Sequence, residues 1–478
     1  MRVWTAMWLA CVVSVGALAE IPAPSEAGDE LRDGFGRGIQ RTMRLLEESG
    51  PGNRNRVKIL FYGQSITVQP WWRGVEARLR ERYPDAELVV ENKALGGWAS
   101  QNLIRMTPID VPLSYPDLIV FHVYGSHVDY EAIVRYMRTH TAAEVLIWND
   151  HVNRWPEPFD ASRDRPGGGG SWDNFMNLVH LPTVAERYGA GLHDIRTMWG
   201  DYLRENGFEP SRLLSDSVHL NVDGEALMAE LMNRYFVYRP ELGEVHNEEL
   251  VTDYVVGEDV RWEGNELVLG FEGNRVEVLP IEGAGGGERG GARVLIDGVK
   301  PSERAELYRF TRPSAGQANI WPALRRMSSG AKLLVEDWTV TVTEADEKSE
   351  ALAFEVEGSR TGEDGAGRTL AESERGGEPA AFVSDSGRLV IEQGDWNLAR
   401  EAVQSGKAVE AGFRIRFSVV PLFVDRYESP GEMVEGGENA VMLMSGLEGG
   451  RHELRLIAEG QRPAIRAIRV YRPAFAAE

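Results

Sequence analysis

The chain has 478 residues, of which 42% are hydrophobic and 26% charged, and its net charge is −22. That length exceeds one ordinary domain and predicts two or three cores. The acidity argues against nucleic acid or an anionic membrane as partner, because either would need a basic face.

Residues 1–19 begin with Met1-Arg2, run apolar from about Val3 to Leu18 and end in Ala17-Leu18-Ala19 before Glu20. This is the pattern of a secretory signal peptide, and the run is too short for a membrane span. Cys11, the only cysteine, would leave with it. The mature chain would then have no thiol, which excludes disulfides, cysteine metal sites and cysteine nucleophiles. Export without disulfides points to a secreted or periplasmic bacterial protein, with no membrane insertion after cleavage. Residues 20–54 read as an N-terminal extension.

From residue 55 short apolar runs alternate with helical patterns. Val57 to Tyr62, Glu87 to Glu91, Leu118 to Val123, Val145 to Trp148 and Gly191 to Ile195 read as strands, most of them buried on both faces. After Pro70, Trp71, Val75 and Leu79 recur at the i, i+4, i+8 spacing of a core-facing helix stripe. Alternation over about 190 residues predicts a parallel sheet with helices on both faces, and ligand sites in such sheets lie beyond the carboxyl ends of the strands. Ser65, Gly97, His127 and His151 all stand just past predicted strand ends.

Past about residue 250 the helical periodicity fades. Segments beginning at Glu266, Arg275, Arg293, Trp338, Ala353, Arg388, Phe413 and His452 alternate or are rich in β-formers, with glycine turns between them. They predict a β-sandwich over 246–478, following an α/β domain over 55–245. The glycine-rich stretches Gly283 to Gly291 and Gly358 to Gly377 read as loops. About 230 residues exceed one small sandwich, so the sequence allows either a large insertion between about 301 and 410 or two β modules packed together.

Two segments carry chemistry. In Lys58-Ile-Leu-Phe-Tyr-Gly-Gln-Ser-Ile-Thr67 a strand run ends at Gly63-Gln64-Ser65, and Asp216-Ser-Val-His219 lies about 150 residues later. A serine hydroxyl becomes a nucleophile at neutral pH when an imidazole takes its proton and a carboxylate orients that imidazole. Asp and His three apart can share one loop, with the carboxylate on Nδ1 and Nε2 directed away. Seven of the nine histidines precede residue 245. Reading His122, His127 and His151 as metal ligands finds no support in a His-x-x-x-His pair or a cysteine, so neither a metal nor a cofactor is expected.

These segments resemble the SGNH, or GDSL-like, hydrolases. Gly63-Gln64-Ser65 stands where the family reads Gly-Asp-Ser, a variant also found in its carbohydrate acetylesterase branches. Asn92-Lys-Ala-Leu-Gly-Gly-Trp-Ala-Ser100 matches the second block, and Asp216 to His219 matches the last. The third block departs, because Gly125-Ser126-His127-Val128 replaces Gly-x-Asn-Asp. The resemblance covers about 55–240 and implies a flavodoxin-like three-layer α/β/α sandwich. It further implies a catalytic set of Ser65, Asp216 and His219, with an oxyanion hole from Ser65, Gly97 and His127. More weakly, the second half resembles the jelly-roll modules attached to bacterial carbohydrate esterases. The implied activity is removal of small acyl groups, chiefly O-acetyl, from oligo- or polysaccharide. Trp98, His151 and Trp172 are the expected substrate contacts, with Trp98 closing a small acyl pocket and Pro166 to Ser171 acting as a mobile lid. The rival readings are a non-catalytic glycan-binding protein and a lipase or thioesterase.

Overall fold

The structure is a computed structural model and describes residues 21–243, 250–281, 290–313, 322–370, 381–406 and 408–476. The signal-peptide segment, most of the 283–291 loop and much of the stretch after 370 lie outside the described residues. No helix among the described residues is long and apolar enough to cross a membrane.

After two short helices, α1 (Asp29–Gly34) and α2 (Gln40–Glu47), β1 (Arg56–Gly63) leads into α3 (Ser65–Val68) and α4 (Trp71–Arg82). There follow β2 (Glu87–Asn92), α5 (Ser100–Ser114), β3 (Leu118–His122), α6 (His127–His140) and β4 (Glu144–Trp148). The unit closes with α7 (Trp172–Phe175), a π-helical turn at Met176–His180, α8 (Leu181–Tyr188), β5 (Gly191–His193), α9 (Ile195–Glu205) and α10 (Val222–Asn233). The five strands form one parallel sheet in the order β2-β1-β3-β4-β5, the doubly wound order seen in flavodoxins. β3 and β4 are buried at every position, as strands covered on both faces must be. The residues of α4 that reach the core are Trp71, Val75 and Leu79, the stripe read from the sequence. The N-terminal helix α2 caps the sheet, since the backbone N–H groups of Arg41 and Thr42 donate to the buried Glu144 carboxylate at 2.9 and 2.7 Å.

The remainder is antiparallel. β6 (Val251–Val255), β7 (Trp262–Glu263), β8 (Glu266–Glu272), β9 (Arg275–Pro280) and β10 (Gly291–Ile296) join β18 (Arg426–Glu428), β19 (Val441–Ser445), β20 (Arg451–Glu459) and β21 (Ile465–Tyr471) in two sheets. Their orders are β18-β10-β20-β8-β7 and β19-β9-β21-β6. Between them lies one core that includes Leu267, Phe271, Val276, Val294, Leu454 and Ile468.

In sequence, the chain from β10 to β18 makes a third sheet. It comprises β11 (Tyr308–Phe310), β12 (Glu336–Ala345), β13 (Leu352–Gly358), β14 (Gly362–Arg368) and β17 (Arg414–Pro421), in the order β11-β17-β12-β13-β14. Between β14 and β17 come the two-stranded ribbon β15 (Phe382–Val383) and β16 (Val390–Ile391), then helix α11 (Leu398–Ser405). β14 falls where a glycine-rich loop was expected. Its pairing with β13 gives those glycines a ladder that composition alone does not reveal.

The inserted sheet docks on the α/β unit. Trp338, Val340, Ile415 and Phe417 share one apolar cluster with Leu103, Met106 and Tyr130 of α5 and α6. Arg312 pairs with buried Asp110 at 2.6 Å, and Arg105 pairs with buried Asp395. On the sandwich side, Tyr115 Oη donates to Asn274 at 2.6 Å and Asn274 donates to the His140 carbonyl at 2.8 Å.

Candidate active site

The turn after β1 is set by Gly63. Its register partner is His122 on β3, and a Cβ at Gly63 would stand 1.9 Å from the His122 carbonyl oxygen. Only glycine allows so close an approach of two central strands. The chain then turns through extended Gln64 into Ser65, the first residue of α3. Its N–H is therefore one of the donors left over at a helix start. The second segment lies beside it, since a Cβ at Gly96 would stand 3.9 Å from Ser65 Cβ. Among the described residues, the N–H groups of Ser65 and Gly97 donate to no protein acceptor. Two unengaged amides next to a serine are the geometry in which an oxyanion can be held.

Asp216 and His219 form a local pair. Asp216 Oδ1 accepts the backbone N–H groups of Val218 and His219, each at 2.7 Å, and Oδ2 lies 2.7 Å from His219 Nδ1. The backbone N–H of His219, then its imidazole, then the N–H of Val218 pull the Asp216 carboxyl down to about 2. A carboxylate only accepts, so the proton of this contact sits on Nδ1 and leaves the Nε2 lone pair for a base. The side chains of Asp216 and His219 are 55% and 40% exposed, so the pair opens to solvent.

Gln69, one turn after Ser65, brings the two segments together. Its backbone N–H reaches the Ser65 carbonyl at 3.2 Å. Its side chain accepts the Leu220 N–H at 3.0 Å and donates to the Leu220 carbonyl at 2.9 Å. The residue next to His219 is thus tied to the helix turn that begins at Ser65. Among the described residues Ser65 Oγ makes no hydrogen bond, to His219 or otherwise, a looseness common in ligand-free sites.

His127 begins α6, whose N-cap Ser126 accepts from Asp129 N–H. The ring stands edge-on to Trp172 at 5.3 Å, Phe175 at 5.5 Å and His180 at 5.4 Å. Gly125, two residues earlier, has a φ of +133°, and a Cβ there would lie 2.8 Å from Ala99 Cβ. Trp172 is half-buried against His127, on the same side as the third segment.

Three expectations are corrected. Trp98 has no exposed surface and belongs to the main core, so its indole neither stacks on a sugar nor lines an acyl pocket. The chain dips inward immediately after the exposed Gly97, a reversal that residue type does not signal. His151 is 2% exposed and its Nε2 lies 2.9 Å from the Val218 carbonyl, so it holds the chain rather than a ligand. The Pro166 to Ser171 segment is tied down rather than loose, with the N–H groups of Gly168 and Gly170 on the Arg165 and Arg163 carbonyls, each at 3.0 Å. Buried Asp164 accepts the N–H groups of Asp160 at 2.9 Å and Ser171 at 2.7 Å and the Asn174 amide at 3.1 Å.

Sequence reasoning missed Gln69, Asp150, Asn153 and Arg400. Arg400 of the inserted module donates to the Gly97 carbonyl, and Asn153 donates to the Ser217 carbonyl at 3.3 Å. Gln69, Asn153 and Arg400 carry no sequence signal because each acts on a backbone group distant in the chain, and Asp150 faces His122, which lies on another strand.

No protein-family model and no curated protein matches the chain. Among solved structures it is similar to a two-domain esterase active on acetylated mannans, at 12% identity, over 94% of this chain and 100% of that one, with a TM-score of 0.37. It is also similar to an acetylxylan esterase from Geobacillus stearothermophilus, at 18% identity over 39% of this chain and 97% of that one, with a TM-score of 0.32. An alpha/beta hydrolase enzyme from the metagenome of Lake Arreo, Spain, is 20% identical over 39% of this chain and 98% of that one, with a TM-score of 0.32.

Proposed function

We propose that the chain is a serine esterase that removes O-acetyl groups from carbohydrate, with Ser65 as nucleophile and His219 oriented by Asp216. The observation that carries this reading is the 2.7 Å contact of Asp216 with His219 Nδ1, on a loop tied through Gln69 to the turn of Ser65. His219 Nε2 takes the Ser65 proton while Oγ bonds to the ester carbonyl carbon. The resulting oxyanion is held by the N–H groups of Ser65 and Gly97, with His127 as third donor. The C–O bond to the sugar then breaks as His219 returns the proton to the leaving hydroxyl, and water releases acetate by the same steps. Exposure of the Asp216–His219 pair suits an ester carried on a polymer, whose alcohol portion stays in solvent. The catalytic unit is residues 55–245, residues 1–19 direct export and are removed with it, and 246–478 is the accessory unit.

A non-catalytic glycan-binding protein is the second reading, and His127 standing where the family has asparagine favours it. One measurement separates the two: hydrolysis of p-nitrophenyl acetate, butyrate and octanoate by the wild type and Ser65→Ala. The esterase reading expects Ser65-dependent turnover that is fastest with acetate. Equal rates for both proteins sink it, and faster octanoate cleavage replaces it with a lipase.

A further inference from the structure

Beneath the loop of Asp216 and His219 lies a second, buried set of ionisable groups that the proposed chemistry does not use. His122 ends β3, and Asp150 and His151 follow β4. His122 Nδ1 lies 3.0 Å from the Trp148 carbonyl, and His151 Nε2 lies 2.9 Å from the Val218 carbonyl. A carbonyl only accepts, so each of these nitrogens carries a hydrogen. The other two, His122 Nε2 at 3.0 Å and His151 Nδ1 at 3.7 Å, face the same oxygen of Asp150. Burial opposes ionisation of Asp150, but the neighbouring His122 and the Arg196 guanidinium outweigh it and hold the carboxyl at about 2. Burial also lowers His151, which favours a neutral ring with its one N–H on Val218.

The rings are fixed from the sides as well. His122 lies against Trp148 with centroids 4.1 Å apart, His151 stands 5.3 Å from Trp199, and the Asp150 N–H donates to Asn177 at 2.7 Å. The loop above has no such packing, since residues 215–218 are all exposed. Its other ties include the Gln69 bonds to Leu220, the Asn153 bond to Ser217 and bonds from Ser215 N–H and Oγ to the His219 carbonyl at 2.8 and 3.2 Å. Of the side chains that tie this loop, His151 alone is nine-tenths buried, and it grips the residue just before His219.

We propose that His151 is a positioning residue for the candidate catalytic pair: its Nε2–H fixes the Val218 carbonyl and thereby sets where His219 stands relative to Ser65, while Trp199 braces the ring. This rests on the esterase reading for its kinetic consequence only. A misplacement of about 1 Å near reacting groups costs on the order of 100-fold in rate.

The test compares three variants. In His151→Gln the terminal amide nitrogen can reach the place of Nε2, whereas in His151→Asn it reaches only that of Nδ1. His151→Phe keeps the bulk and offers no donor. With p-nitrophenyl acetate, the Asn and Phe variants should lose about 10- to 100-fold in kcat with KM within about 2-fold, and the Gln variant should recover to within about 5-fold of wild type. Equal activity of the Asn and Gln variants, or a loss confined to KM, overturns the proposal. The Gln and Asn comparison stands even where the Phe variant does not fold. A second readout needs no turnover: imidazole nitrogen NMR of His219, whose Asp216-bonded Nδ1–H should persist in wild type and Gln and weaken in Asn. An unchanged His219 spectrum in the Asn variant refutes the positioning role. Loss of Ser65-dependence in the wild type would remove the esterase reading and leave the NMR outcome decisive.

Discussion

Gly63→Ala tests the placement of Ser65 most directly. The added methyl would stand 1.9 Å from the His122 carbonyl oxygen and 2.8 Å from Thr67 Oγ1. A carbon and a carbonyl oxygen settle at about 3.3 Å, so the backbones must part by about 1.4 Å. β1 and β3 are central strands paired in register from Ile59 with Leu118 to Gly63 with His122, and they have nowhere to retreat. Overpacking of this kind, with the strained backbone of a non-glycine residue at this position, costs about 2–4 kcal/mol. Ser65 is two residues away and shares the displacement. Turnover per folded molecule should therefore fall on the order of 100-fold. The assay pairs p-nitrophenyl acetate kinetics with the denaturant midpoint. Gly207→Ala is the control, since Gly207 has a φ of +63° but nothing within 4 Å of the added Cβ. It should lose about 1 kcal/mol of stability and no activity. Wild-type stability and turnover in Gly63→Ala would refute the close approach of the two strands and the position of Ser65 derived from it.

Asp216→Asn replaces the acceptor of Nδ1–H with an amide whose N–H2 group favours the wrong imidazole tautomer, so kcat should fall by about 100- to 10,000-fold with the fold intact; a loss below about 5-fold would show that Asp216 does not orient His219. His193 is fully buried, donates to the Leu231 carbonyl at 2.9 Å and is pushed by burial down to about 4. Its folded value lies below the unfolded 6.5, so the unfolded chain takes the proton first, and stability is lost as pH falls from about 6.5 to 4. The loss approaches about 3 kcal/mol at 1.36 kcal/mol per unit. His193→Gln should flatten the stability profile in that window, and an unchanged slope in denaturant titrations would exclude His193 as its source. Asp164→Ala removes the acceptor of three hydrogen bonds in the 160–171 loop, so chymotrypsin should cut after the exposed Phe159 at least about 10-fold faster. Equal cleavage rates would mean that the loop is held by something other than Asp164.

Sequence by itself determined what is local or periodic. The central strands β3 and β4 were legible because strands buried on both faces are continuous apolar runs, and the stripe of Trp71, Val75 and Leu79 because a helix repeats every 3.6 residues. The Asp216–His219 pair was legible because three residues of spacing fix its contact within one turn. Tertiary structure decided whatever depends on which distant segments meet. Trp98 looked like a rim residue until the chain turned it into the core. β14 became a strand because β13 was there to pair with it. The ties that set the candidate site run from Gln69 to Leu220 and from His151 to Val218, and both end on backbone atoms. Every residue type has the same carbonyl and, proline apart, the same N–H, so no pattern of side chains announces such a partner before the fold supplies it.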